Sequence, residues 1–67
     1  MENYIIYNDI KNNKVTLKTI NDNSYEVYLN DVLILYTDVQ SEAEIVAESI
    51  DLSLSILDEY GLLNENG

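Results

Sequence analysis

Residues 25–36 read Tyr-Glu-Val-Tyr-Leu-Asn-Asp-Val-Leu-Ile-Leu-Tyr, two runs rich in β-branched and aromatic side chains on either side of Asn30-Asp31. Such runs suit a pleated, half-buried strand, and both Asn and Asp tolerate the positive φ that a two-residue type I′ hairpin requires. With the turn placed there, cross-strand pairing follows. Leu29 faces Val32, Val27 faces Ile34 and Tyr25 faces Tyr36, which puts these apolar and aromatic side chains on one side of the ribbon, the expected core face. The other side carries Glu26, Tyr28, Leu33 and Leu35, too apolar for ordinary solvent surface.

Upstream, Tyr4-Ile5-Ile6-Tyr7 is apolar at every position, the pattern of a strand covered on both faces, and Asn8 to Asn13 supplies turn chemistry. Lys14 to Ile20 alternates, with Val15, Leu17 and Thr19 on one face and Lys14, Thr16 and Lys18 on the wetter one. Asn21 to Ser24 is the next turn. Downstream, Ser41-Glu42-Ala43-Glu44 has the form of a capping box, and Gly61 after Tyr60 is a left-handed stop, with Leu62 placed for the accompanying contact. Between them Ala43, Val46, Ala47, Ile50, Leu54 and Leu57 recur at three- and four-residue intervals as a core stripe. The expected fold is α+β: a four-stranded antiparallel β-meander with one C-terminal α-helix, about residues 42–60, packed on one face. Residues 1–63 are expected to form a single domain, and 64–67 a frayed tail.

The chain has 67 residues, 13 acidic side chains against three lysines, a net charge of −10, and no arginine, histidine, cysteine or proline. A domain of this size buries only about 60% of its unfolded surface. Disulfides and zinc sites of the usual kind are excluded by composition, so burial against a second copy or a partner is the natural supplement. The charge is one-sided. Glu2, Asp9, Asp22 and Glu26 are nearly balanced by Lys11, Lys14 and Lys18, whereas residues 31–67 carry nine acids and no base.

A chain this acidic is repelled by phosphates, which disfavours nucleic acid and anionic membranes as direct ligands and favours a basic protein partner. No apolar run of membrane-spanning length is present, and Met1-Glu2-Asn3 lacks a signal peptide's basic flank, so a cytoplasmic location is expected. Richness in Asn and Ile with few or none of Pro, Arg, His and Trp points to AT-rich coding, as in a low-GC bacterium or its phages. Catalysis has little to work with: there is no histidine, no cysteine nucleophile, no arginine and no glycine-rich phosphate loop. The Asp58-Glu59 pair sits at a helix end where nothing drives its pKa values apart, and EF-hand spacing is missing. No enzyme, cofactor or metal site is expected.

Two features carry the functional expectation. On a helical wheel Glu44, Glu48, Asp51, Ser55, Asp58 and Glu59 cluster on the face opposite the core stripe, a ridge about 21 Å long from Glu44 to Asp58 at ~1.5 Å rise per residue. The acids at Asp58 and Glu59 oppose the negative end of the helix dipole, where stability alone favours lysine. This ridge is either a solvated face that keeps a small protein soluble or a row of carboxylates for a basic cleft that normally holds nucleic acid. A second apolar strip, Ile45, Leu52 and Ile56 near Tyr60, either extends under the sheet edge or forms a contact surface such as a homodimer interface, with Leu33, Leu35 and Tyr28 competing for that role. Of the six tyrosines, Tyr7 and Tyr28 are expected to be exposed.

By size and charge the chain is similar to small acidic inhibitors, among them phage DNA-mimic and anti-defence proteins and bacterial immunity proteins. That similarity is compositional and implies a non-enzymatic inhibitor or decoy, for which the helix ridge of Glu44, Glu48, Asp51, Asp58 and Glu59 is the expected binding surface. The alternative is a structural or accessory module that forms a homo-oligomer or joins a larger assembly, through Ile45, Leu52 and Ile56 or Leu33 and Leu35.

Overall fold

Three two-residue turns fold the first half of the chain into a meander. In the computed structural model, which describes residues 3–63, strands β1 (Asn3–Ile10), β2 (Asn13–Asn21), β3 (Ser24–Leu29) and β4 (Val32–Thr37) form one antiparallel sheet in the order β1-β2-β3-β4. A single helix, α1 (Gln40–Glu59), packs across one face and touches all four strands. This is the expected α+β architecture; the tail at 64–67 lies outside the described residues.

Both turns at one end of the sheet are built from residues in the left-handed region: Lys11 and Asn12 at φ 51° and 66°, Asn30 and Asp31 at 51° and 67°. That geometry matches the right-handed twist of the flanking strands. The two turns are clasped together. Asn30 donates to the side-chain oxygen of the buried Asn13 at 3.0 Å and accepts from the Lys14 amide at 2.7 Å.

The core is small. Val15, Leu17, Tyr25 and Val27 project from the two central strands onto Ala43, Ala47 and Leu54, with Tyr7, Leu29, Leu35, Val46 and Ile50 packed around them. Alanine at two of the three buried helix positions lets the helix backbone approach the sheet closely. The Tyr25 hydroxyl escapes desolvation by donating to the Asp22 carbonyl at 3.0 Å.

Several expectations are corrected. The strand Tyr4 to Tyr7 is not covered on both faces: β1 is an edge strand, and Tyr4, Ile5 and Ile6 are each more than half exposed. The β3–β4 register begins as expected, with Leu29 opposite Val32, but slips at a bulge on Ile34, so that Val27 faces Leu35 and Tyr25 faces Thr37. The physical gain is space and a hydrogen bond. Thr37, small and buried, stands opposite Tyr25 in place of the bulkier Tyr36, and its hydroxyl oxygen accepts from the Val39 amide at 3.1 Å. Leu35, assigned to the outer face and a candidate interface, turns toward the core, while Ile34 and Tyr36, assigned to the core, are exposed.

The helix starts at Gln40, so Ser41 lies inside its first turn and no capping box forms; Val39 is the N-cap and no side chain caps it. Its C-terminus is the expected left-handed stop. Gly61 at φ 71° lets the Gly61 amide reach the Asp58 carbonyl and the Leu62 amide reach Leu57, at 3.0 and 2.9 Å. Tyr7 and Tyr28 are half-buried rather than exposed; Tyr4, Tyr36 and Tyr60 are the exposed rings.

Candidate protein-binding surface

With 100° per residue, the buried stripe Ala43–Ala47–Leu54 has directly opposite it not the carboxylates but Ile45, Leu52 and Ile56, which are 64%, 61% and 43% exposed. The apolar strip is therefore the crest of the helix and does not run under the sheet. Between its residues, the Ser49 hydroxyl donates to the Ile45 carbonyl at 2.8 Å and Ser53 donates to the Ser49 carbonyl at 2.9 Å. Hydroxyls satisfied by their own helix compete little for water, so the crest reads as a continuous, low-polarity strip.

The acidic residues occupy the flank of α1 that descends toward β1, which corrects the expectation that they oppose the core. Glu48 and Glu59 are exposed beside the crest, and Glu44, Asp51 and Asp58 lie lower and half-buried. Each of the lower three has a fixed neighbour. Asp51 accepts from the side-chain amide of Asn8 on β1, Asp58 lies 3.1 Å from the Lys11 ammonium, and Glu44 accepts from Gln40 at 3.3 Å. The bulge at Tyr7 between Ile6 and Asn8 aims Asn8 at the helix, so the β1 irregularity and the acidic flank form one local structure. Glu44 and Glu48 also lie close enough to Tyr7 that, after burial, their negative charge is what pushes its phenol pKa above the usual value.

The last turn of α1 carries no basic residue, while Glu42 sits in the first turn. Asp58 and Glu59 therefore face the negative end of the dipole with only Lys11 in compensation. A surface arranged in this way accepts charge-assisted hydrogen bonds from guanidinium and ammonium groups, with an apolar crest beside it for aliphatic or aromatic contact. Among the described residues, no group of three or more acidic side chains is placed to hold a metal ion. No helix among them is long and apolar enough to cross a membrane.

The opposite face of the sheet holds what the sequence pattern did not reveal. Two cross-strand rows traverse all four strands there: Ile6–Thr16–Tyr28–Leu33 and Tyr4–Lys18–Glu26–Tyr36. The signal for β2 was visible in its alternation, but the bulges on β1 and β4 determine which of their residues join the rows. Protein-family models, characterised proteins and solved structures were all compared with the chain, and none matches it.

Proposed function

We propose that the chain is a non-enzymatic acidic binding protein, an inhibitor or decoy of the DNA-mimic or anti-defence kind, that occupies a basic, nucleic-acid-handling site on a partner protein. The observation that carries this reading is the charge layout of α1: Glu44, Glu48, Asp51, Asp58 and Glu59 along one flank, with Lys11 the only cation paired to it by an ion pair among the described residues. Such one-sided charge costs stability through like-charge contacts at i, i+4 and at the dipole's negative end, a cost that a basic cleft would offset. Ile45, Leu52 and Ile56 beside it supply the desolvated contact that charge alone lacks. The same crest also favours a second reading, an accessory module of a larger assembly in which the charge serves solubility.

The test uses the immobilised chain and a lysate of its native cell. Basic nucleic-acid-binding proteins are expected to be retained at 0.01 M salt, where the Debye length is about 30 Å, to be released toward 0.15 M, where it is about 8 Å, and to be displaced by added duplex DNA. The Glu48→Lys, Glu59→Lys double variant, whose sites are both exposed, is expected to retain none of them. Equal retention by that variant, or indifference to DNA, overturns the proposal and leaves the assembly module in the lead.

A further inference from the structure

We propose that two copies of the chain stack through their outer sheet faces, with β2 of one lying over β3 of the other around a two-fold axis parallel to the strands. The face is apolar and uncovered. Tyr4, Ile6 and Tyr36 are more than half exposed, Leu33 is about half exposed, and Tyr4, Ile6, Thr16 and Tyr28 line an open depression of about 330 Å³. Its side chains are already ordered by one another: the Lys18 ammonium lies 5.4 Å from the centre of the Tyr4 ring, Tyr28 donates to Glu26 at 2.9 Å, and Ser24 and Tyr36 share a hydrogen bond at 3.2 Å. Less freedom is then lost when the face is covered.

Charge selects the occupant. The helix side presents Glu42, Glu44, Glu48, Asp51, Asp58 and Glu59 against Lys11, and repels another copy of itself. The outer sheet face carries Lys14 and Lys18 beside Asp9, Glu26 and Asp31, close to balance. The row Tyr4–Lys18–Glu26–Tyr36 is, moreover, self-complementary. Rotation about an axis along the strands between β2 and β3 reverses its order, so Lys18 meets Glu26 of the partner subunit on both sides of the axis, and Tyr4 meets Tyr36 of the partner subunit. The second row then sets Ile6 against Leu33 of the partner subunit.

The size is sufficient. Four strands about 4.8 Å apart and about six residues long make a face of roughly 19 Å by 20 Å. With side-chain relief, each copy buries on the order of 500–600 Å², and the total reaches the lower bound of specific interfaces. Two twisted sheets stacked in this way are a β-sandwich of the aligned type. Both helices remain on the outside with their acidic flanks open, so self-association and partner binding proceed independently.

The experiment is a charge-swap mixture, read by sedimentation equilibrium and native mass spectrometry, with circular dichroism as the check on folding. The parent is expected at twice 7.7 kDa in the micromolar range. Lys18→Glu and Glu26→Lys, each alone, place like charges across the axis and weaken self-association by about tenfold or more, about 1.4 kcal/mol. An equimolar mixture of the two variants regains the dimer mass as a mixed dimer, which a purely intramolecular effect of either substitution does not produce. Should a variant fail to fold, the parent alone decides. Tyr4 and Tyr36 lie on opposite edge strands about 14 Å apart, so a nuclear Overhauser effect between their rings in a sample of mixed isotope labelling arises only between copies. A monomeric parent, variants that dimerise like the parent, a mixture that stays monomeric, or no Tyr4–Tyr36 effect overturns the proposal.

Discussion

Lys11 Nζ lies 3.1 Å from an Asp58 carboxylate oxygen, so the tip of the first hairpin holds the last turn of α1. Both side chains remain more than a third exposed, which limits the contribution of the pair to about 0.2–1 kcal/mol. The Lys11→Gln variant, which keeps an L-residue at the same positive φ, is expected to lose no more than that in urea denaturation. The loss should shrink as salt is raised. A loss above about 3 kcal/mol would place the pair with buried ion pairs instead.

The two residues of the β3–β4 turn share a backbone conformation but not a role, and glycine separates them. Asp31 has φ 67°, and its carboxylate reaches only the Lys14 ammonium, at 3.9 Å, with the side chain 89% exposed. Asp31→Gly relieves the left-handed strain and creates an Asn-Gly turn, so stability is expected to rise by several tenths to about 1 kcal/mol. Asn30→Gly gains the same backbone relief but breaks the bonds to the buried Asn13 side chain and to the Lys14 amide. A net loss of about 1–2 kcal/mol is expected. Urea midpoints that moved in the same direction for both would show the clasp to be dispensable.

The meander, its Asn30-Asp31 turn and the Gly61 stop were legible because each is dictated locally. Turn chemistry and period need only neighbouring residues, and Val15 and Leu17 follow from alternation alone. The β4 register was not legible, since the bulge at Ile34 answers to the space beside Tyr25 and to the Val39 amide, which only the helix makes relevant. The same limit governed the surface. A wheel drawn without a known core centre placed Asp51 opposite the sheet, whereas Asn8 holds it against β1. An open-edge β1 carries the apolar run of a covered strand, and the sequence gives no sign of which edge stays free.

The last prediction concerns alkaline pH. Burial first, and then the charges of Glu44 and Glu48, hold the Tyr7 phenol above its ordinary pKa; at Tyr28 the hydrogen bond to Glu26 does so first. A phenol whose folded pKa exceeds its unfolded value of about 10 binds its proton more tightly in the native state. The stability it contributes is therefore fully present below about pH 10 and is lost as pH rises through the folded pKa. Urea midpoints are expected to fall above that point, and Tyr7→Phe, which has no proton to lose, should fall less steeply than the parent. Glu26→Gln should bring the Tyr28 phenol down toward its ordinary value, visible as earlier tyrosinate absorbance. Parallel decline of the parent and Tyr7→Phe would show that neither burial nor the charges of Glu44 and Glu48 raise the Tyr7 phenol in the folded chain.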